Sequence, residues 1–213
     1  DGNGQLELIE AIMGLTPAAG GDVLVKGKSL KNASPKEVLD QGVSNIPFSR
    51  QTEGLVLSFS VRDNFILKER WHEPYAKHGF LRNKVIDDTV RRMIGAYSIK
   101  ANGPETRAGN MSGGNQQKIV LAKWLMSDAK VLFLDEPTRG IDIGAKVEVY
   151  NIINEIAAAG KCVIVISSEM TELMGICDRI VVMCRGAITG EERKGQFTQE
   201  SLMYLATGGS AAV

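Results

Sequence analysis

A polar loop that contains two glycines runs from Met111 to Lys118 and leads directly into an apolar helical pattern. Ser112 stands where it can cap this helix, and Gly113 and Gly114 leave the N–H groups of the first turn bare. A bare helix amino end carries the positive end of the helix dipole and attracts anions. The loop is therefore predicted to bind a phosphate group.

Two adjacent carboxylates follow a short apolar run at 131–134, which predicts a buried strand of a parallel sheet. Asp135 and Glu136 come at the carboxyl end of that strand, where open α/β sheets bind their ligands. Asp135 is predicted to hold a magnesium ion, usually through water, and Glu136 to polarise an attacking water. The alternative is that Glu136 merely begins a turn before Pro137.

These motifs resemble those of a known family. The run SGGNQQK, followed about twenty residues later by LDEPTRGID, resembles the signature loop, Walker B strand and D-loop of ABC-transporter ATPases. The longer runs GNQQKIVLAKWL and LDEPTRGIDIGAK resemble the second ATPase cassette of bacterial monosaccharide importers, whose ATP-binding subunits carry two cassettes in one chain. The resemblance implies an α/β P-loop NTPase fold, a mostly parallel sheet flanked by helices, a helical subdomain, and ATP with Mg²⁺ as cofactors.

The chain begins inside a degenerate form of the family's phosphate loop, G-x-x-G-x-G-K-[ST], so its true start is expected upstream of Asp1. The residues that match the second half of the loop are Gly2, Asn3 and Gly4. Gln5 replaces the phosphate-binding lysine and Leu6 replaces the magnesium-binding hydroxyl. A neutral amide cannot offset phosphate charge, and leucine cannot ligate a hard cation. Backbone N–H groups can still cradle phosphate, and second cassettes of this family are similarly degenerate.

Two further positions depart from the family pattern. Phe48 stands at the metal-sensing position of the Q-loop, where an aromatic ring cannot ligate metal, and is expected to pack under a permease-facing loop. Ser168 stands where most cassettes have a histidine that contacts the γ-phosphate, and serine matches neither its charge nor its reach. Weak nucleotide binding and little hydrolysis are therefore expected at this domain's own site.

In the family, two cassettes pair head to tail, and each ATP lies between the phosphate loop of one and the signature loop of the other. The resemblance thus implies that Ser112, Gly113 and Gly114 hold the γ-phosphate of ATP bound to the partner cassette. Asp142, in the D-loop, is expected to bridge to that partner. The full predicted nucleotide-binding set is Gly2, Asn3, Gly4, Gln5, Leu6, Ser112, Gly113, Gly114, Asn115, Gln116 and Asp142, beside the predicted catalytic residues Asp135, Glu136 and Ser168.

Partners and location follow from the same resemblance. The expected partners are a first ATPase cassette, transmembrane permease subunits and, indirectly, an extracytoplasmic sugar-binding protein, at the cytoplasmic face of the plasma membrane. Lys+Arg and Asp+Glu both count 25, so no net charge favours nucleic acid, which argues against an ABC ATPase of DNA repair or translation. A nucleoside importer of the same branch and a regulatory nucleotide-binding module without turnover remain the alternatives.

The chain is expected to form one cassette over 1–213. Residues 1–60 and 128–213 are predicted to form the nucleotide-binding α/β core, and 61–127 a helical subdomain that carries the signature loop. Apolar runs predict strands at 43–46, 131–134, 162–166 and 180–183. Amphipathic patterns predict helices at 85–96 and 145–158. The glycine-rich end at 208–212 is expected to be disordered.

Overall fold

The computed structural model describes residues 2–126 and 129–209. Disorder was predicted at 208–212, of which 210–212 lies outside the described residues. The prediction is wrong for Gly208 and Gly209, whose N–H groups donate to the carbonyls of Leu205 and Tyr204. The chain divides into two compact units. The first unit comprises Asp1–Asn45, Lys130–Glu136 and Lys161–Val213, and the second unit comprises Ile46–Ala129 and Pro137–Gly160. Compactness alone defines these units, so the functional division at 61–127 stays a prediction.

Three of the four predicted strands form one sheet. A three-stranded sheet has the order β3, β6, β7, formed by Val43–Ile46, Val131–Asp135 and Cys162–Ile166. Strands β6 and β7 are parallel, in register from Val131 beside Cys162 to Asp135 beside Ile166. The predicted parallel pairing of these two strands is confirmed. Helices α1 (Gln5–Ile12) and α2 (Pro35–Asp40) contribute to the same unit, as do α7 (Met170–Ile176) and α8 (Gln199–Ala206).

Local sequence signals explain how the first unit packs. Helix α2 begins with a capping box, in which Ser34 accepts from the Glu37 N–H and the Glu37 carboxylate accepts from the Ser34 N–H. One apolar cluster joins α1, α2 and the sheet, and its buried members are Ile9, Met13, Leu30, Val38, Val43 and Phe133. This cluster packs the second half of α1 against the sheet.

The strand predicted at 180–183 has a different partner from the other three. Strand β8 (Arg179–Cys184) pairs antiparallel with β9 (Ala187–Arg193) in a two-stranded sheet of its own. Arg185 and Gly186 form the intervening turn with φ of 51° and 81°. A two-residue turn leaves no room for the crossover that a parallel pair needs, so the hairpin is antiparallel. A similar turn joins β1 (Leu24–Val25) to β2 (Lys28–Ser29).

The second unit is mainly helical. Its helices are α3 (Val61–Ile66), α4 (Asn83–Ala96), α5 (Gly113–Leu125) and α6 (Ile143–Ala158). The predicted helices at 85–96 and 145–158 are confirmed, each beginning two residues earlier than expected. The segment between α3 and α4 contains a small antiparallel hairpin, β4 (Ala76–Lys77) with β5 (Phe80–Leu81). A short π-helical segment spans Arg50–Gly54, and a single 3₁₀ turn spans Ala108–Asn110.

Candidate functional site

Helix α5 begins at the predicted phosphate-binding loop, with Ser112 at the N-cap position. The predicted side-chain cap is absent among the described residues, because the serine hydroxyl has a different partner. The first hydrogen bond of the helix runs from the Gln116 N–H to the Ser112 carbonyl at 2.9 Å. The N–H groups of Gly113, Gly114 and Asn115 therefore precede the hydrogen-bonded part of the helix, as in any uncapped amino end.

The partner of the Ser112 hydroxyl is Asn115, one helical turn along. The Asn115 amide donates to Ser112 Oγ at 2.9 Å, and its carbonyl oxygen accepts from the Lys100 N–H at 2.7 Å. Asn115 is itself bound to the Lys100 backbone, and it therefore orients the hydroxyl of Ser112, which is exposed. A hydroxyl that accepts one hydrogen bond still has its proton to donate, so Ser112 keeps a donor for an anion.

The two glycines of this loop are enclosed by neighbouring backbone and side chains. A Cβ on Gly114 would lie 2.6 Å from the Ala145 Cβ, and one on Gly113 would lie 2.8 Å from Arg50 Nη2. Helices α5 and α6 can approach this closely at their amino ends only because residue 114 has no side chain. The glycines thus serve packing as well as exposing N–H groups.

Gln116 occupies a different environment from the exposed start of the loop. Its side chain is buried at 3% exposure, and its amide donates to the Ala108 carbonyl at 3.0 Å. This bond holds α5 to the 3₁₀ turn before it. Gln116 therefore has a structural role in this contact, and its binding to nucleotide stays a prediction.

Asp142 is the N-cap residue of helix α6. Its carboxylate accepts from the Ala145 N–H at 2.9 Å, which is a side-chain N-cap bond. Glycine at 140 has φ of 67° and turns the chain just before this cap. The cap fixes the D-loop relative to α6, and the predicted bridge from Asp142 to a partner cassette stays a prediction.

The predicted carboxylate pair lies in the first unit, where β6 ends. Glu136 is 7% exposed and has φ of 47°, which is unusual for a residue with a side chain. Its N–H donates to the Ile166 carbonyl at 2.8 Å, and its Oε1 accepts from the Ser168 N–H at 2.7 Å. Strained residues held by such bonds concentrate at functional sites. This geometry makes Glu136 a candidate functional residue, and its predicted role in orienting water stays a prediction.

Ser168 contacts Glu136 through its backbone and not through its hydroxyl. Asp135 is half-buried at the last position of β6, beside Ile166 of β7. The geometry therefore brings Asp135, Glu136 and Ser168 together at the ends of two adjacent parallel strands, while their roles in catalysis and metal binding stay predictions.

The loop at 2–4, predicted to be a degenerate phosphate loop, is hydrogen-bonded to the β8–β9 turn. The side-chain oxygen of Asn3 accepts from the Arg185 N–H, and its backbone carbonyl accepts from the Gly186 N–H, both at 2.9 Å. Gly4 has φ of 100°, and a Cβ there would lie 3.0 Å from the Gly186 Cα. Gly4 is therefore needed for the loop to lie against this turn.

Gln5 occupies the lysine position of the family motif, and its side chain turns back into its own loop. Its Oε1 accepts from the Asn3 N–H at 3.2 Å. An oxygen of the protein thus occupies a donor that a phosphate oxygen would need. Leu6 is 56% exposed and offers no oxygen. These residues do not fit ATP with Mg²⁺ in the manner of an intact phosphate loop, and no catalytic step is derived through this loop.

The second unit contains functional candidates that the sequence analysis did not identify. Arg50 donates from Nη1 to the Arg139 carbonyl at 2.8 Å and from Nη2 to the Gly140 carbonyl at 3.2 Å. Lys118, the last residue of SGGNQQK, is 3% exposed and pairs with the Glu148 carboxylate at 2.7 Å. Arg50 had no local motif to mark it, whereas Lys118 follows the apolar spacing of α5 and could have been predicted as buried.

Two negative findings concern metals and membranes. Residues 2–126 and 129–209 contain no cluster of three or more His, Cys, Asp or Glu side chains that could hold a metal ion. No helix within the same described ranges is long and apolar enough to cross a membrane.

The parallel β6–β7 pair with carboxylates at its end, and the helices around it, define an α/β fold of the P-loop NTPase class. A solved ATP-binding cassette of an ABC transporter, in its ADP conformation, superposes with a TM-score of 0.77 over 98% of this chain and 81% of its own, at 22% identity. A nucleotide-free ATP-binding cassette gives 0.78 over 97% and 81%, at 21% identity. At these identities the likeness concerns the fold alone.

The particular family follows from sequence comparison. The family model described as "ABC transporter" matches residues 1–139. The chain belongs to the ABC transporter family. Ribose import ATP-binding protein RbsA of Lacticaseibacillus paracasei is 43% identical over 98% of this chain, and that of Bacillus licheniformis is 41% identical over 98%. The chain spans 41% and 42% of the lengths of these relatives.

Proposed function

We propose that this chain is an ATP-binding cassette of a monosaccharide importer, and that it supplies its signature loop to ATP bound by a partner cassette. Its relatives are named as ribose import ATP-binding proteins, which favours a ribose-type sugar over the nucleoside alternative. The partners are then a first cassette with an intact phosphate loop and the permease subunits, at the cytoplasmic face of the membrane. The permease and an extracytoplasmic binding protein select the sugar.

The observation that carries this proposal is the state of the α5 amino end. Ser112 is exposed and oriented by Asn115, and the first-turn N–H groups of the helix have no side-chain cap among the described residues. Such an end offers a hydroxyl proton, several N–H donors and a positive dipole to one anion. The γ-phosphate of ATP on the partner cassette matches this chemistry.

The role of the donors is to stabilise negative charge as it develops during phosphoryl transfer. Donors that are already oriented need no reorganisation when the charge appears, and losing one such donor typically costs on the order of 10²-fold in rate or more. Asn115 supplies that orientation for Ser112 through its bond to Oγ. The close packing of α5 against α6 at Gly114 orients the backbone N–H donors.

We further propose that the domain's own phosphate loop contributes little. Asn3 and Gln5 direct their hydrogen bonds toward the protein, and no lysine or hydroxyl stands at positions 5 and 6. Asp135 and Glu136 remain at the strand end, where they would hold Mg²⁺ and orient a water if nucleotide bound weakly there. The asymmetry between the two loops is the core of the proposal.

The test replaces Ser112 in the full-length protein assembled with its permease. Ser112→Arg should abolish ATP hydrolysis coupled to transport, because a bulky cation fills the space that the partner's γ-phosphate needs. Ser112→Thr, which keeps the hydroxyl, is the matched control and should retain most of the activity. Thermal unfolding of each variant monitors the fold. Full activity in a folded Ser112→Arg protein would refute the proposal.

A further inference from the structure

The second unit holds a contact that joins three loops through one guanidinium. Arg50 follows the Q-loop position at residue 48, and its two terminal nitrogens donate to consecutive carbonyls, of Arg139 at 2.8 Å and of Gly140 at 3.2 Å. These carbonyls belong to the turn before the D-loop, where Gly140 has φ of 67°. Arginine suits this geometry because its donors form a rigid planar fork that a lysine ammonium cannot reproduce.

A second contact runs in the opposite direction between the same two segments. The guanidinium of Arg139 lies over the Phe48 ring, 4.5 Å from its centroid. Arginine over an aromatic face is attracted by the ring quadrupole. Each segment thus gives one arginine to the other. We call the set Phe48, Arg50, Arg139 and Gly140 the loop clasp.

The signature loop packs directly on the loop clasp. A Cβ added to Gly113 would lie 2.8 Å from Arg50 Nη2 and 3.2 Å from the Gly140 carbonyl oxygen. No side chain separates the Gly113 backbone from the guanidinium and the turn. Gly113 carries one of the N–H groups that the proposed function assigns to the phosphate. A shift of Arg50 therefore changes the surroundings of that donor.

From these contacts we infer that Arg50 is a positioning residue, which holds the Gly113 backbone against the Arg139–Gly140 turn. The aromatic residue at 48 acts in the same contact by holding Arg139. Where the family's Q-loop residue senses metal, Phe48 in this chain connects to the D-loop segment of its own unit instead. This inference rests on the proposed function, because it gives Arg50 a role in orienting a loop that serves the partner's ATP.

The test measures ATP hydrolysis by the full-length protein with its permease for Arg50→Met and Arg50→Lys. Arg50→Met should lower kcat about 10-fold, with KM for ATP changed less than about threefold, since the loop is displaced at the reacting phosphate while the partner's own ATP contacts remain. Arg50→Lys should recover part of the loss, because an ammonium can still donate to one carbonyl.

The matched control is Arg62→Met in the same unit. Arg62 is also partly buried, with Nε 2.8 Å from the Asp87 carboxylate and Nη2 donating to Asn83 Oδ1 at 2.6 Å. These contacts lie outside the three loops that Arg50 joins. It should lower the unfolding temperature as much as Arg50→Met does, with kcat nearly unchanged. Equal losses of kcat in the two variants would overturn the inference, as would an unchanged kcat in Arg50→Met.

Two further variants are measured beside these, Phe48→Ala and Ser112→Arg. If Arg50→Met does not fold, Phe48→Ala removes the other half of the loop clasp and should lower kcat about threefold at constant KM; an unchanged kcat there overturns the inference. Ser112→Arg in the same preparation separates the two ideas. If Ser112→Arg leaves hydrolysis intact, the proposed function fails. If it abolishes hydrolysis while Arg50→Met has no effect, only the role of Arg50 fails.

Discussion

Two glycine-containing loops of this chain each precede a helix, and their polar groups have different partners. At 2–4 the loop donates and accepts within the protein, through Gln5 and the Arg185–Gly186 turn. At 112–114 the first-turn N–H groups precede the helical bonds, and Ser112 is exposed. Both loops are closely packed, but the loop at 2–4 uses its hydrogen-bonding groups within the protein, whereas the loop at 112–114 has N–H groups that precede the helical bonds.

The comparison shows that glycine has two separable uses. Gly4 adopts φ of 100° and lies against the backbone of Gly186, so its function is conformational. Gly114 is helical, and its lack of a side chain lets α5 approach Ala145 of α6. A loop with glycines is thus a candidate anion site only if its donors remain unused. That criterion needs hydrogen-bond partners, which a motif does not contain.

Among glycine-to-alanine substitutions, we expect the largest loss of ATP hydrolysis from Gly114→Ala. Gly114→Ala places a methyl group 2.6 Å from the Ala145 Cβ, which forces α5 and α6 apart. A displacement of about 1 Å at a reacting group can cost on the order of 10²-fold in rate. Hydrolysis by the full-length assembly should fall accordingly, and unfolding experiments should show a loss of about 1–3 kcal/mol from overpacking.

The control for Gly114→Ala is Gly95→Ala in helix α4 of the same unit. A Cβ there has nothing within 4 Å, and alanine is favoured over glycine in a helix by about 1 kcal/mol. The control should be neutral or stabilising with normal hydrolysis. Equal behaviour of the two variants would mean that the close approach at Gly114 does not matter.

A smaller effect is expected at Asn115. Asn115→Ala removes the bond to Ser112 Oγ and the acceptor for the Lys100 N–H. The net worth of a hydrogen bond is about 1 kcal/mol, so kcat should fall about fivefold while Ser112 itself remains. Asn151→Ala on the exposed side of α6 is the control and should have no effect. An Asn115→Ala protein with normal kcat would show that Ser112 needs no such orientation.

At Gly4 the expected effect is on stability and not on turnover. Gly4→Ala imposes a side chain at φ of 100° and 3.0 Å from the Gly186 Cα, and such strain costs of order 1–3 kcal/mol. Gly2→Ala, with φ of 77° and open space around its Cβ, is the milder control. Melting curves should separate the two variants. A specific loss of kcat in folded Gly4→Ala protein would assign the loop a catalytic role.

Periodicity and motif spacing predicted most of the elements that hold the site. The apolar runs at 131–134 and 162–166 pair in parallel as expected, because an unbroken apolar run is the local signal of a strand in a parallel sheet. Only the first of these strands has a buried centre, whereas Ile164 in the second is 39% exposed. The antiparallel pairing of β8 with β9 was missed, because no strand was predicted at 187–193.

The details of the site depend on long-range contacts that no local pattern encodes. Arg50 reaches carbonyls 89 and 90 residues further along the chain, so nothing beside it in the sequence marks its role. The Ser112 hydroxyl was predicted to cap the helix, but Asn115 competes for it. The left-handed backbone of Glu136 likewise results from bonds to β7 and Ser168.

The central claim is the asymmetry between the two loops, and the most direct test compares Ser112→Arg, Gln5→Ala and the double variant in one preparation of the full-length assembly. The measurement is kcat for transport-coupled ATP hydrolysis, with thermal unfolding as the check on folding. We expect Ser112→Arg to abolish hydrolysis and the double variant to match it. Gln5→Ala should cost less than about fivefold, because losing the one weak bond to the Asn3 N–H is worth at most about 1 kcal/mol. Folded Gln5→Ala protein as inactive as Ser112→Arg would contradict the account, because the loop at 2–6 would then be a working phosphate site.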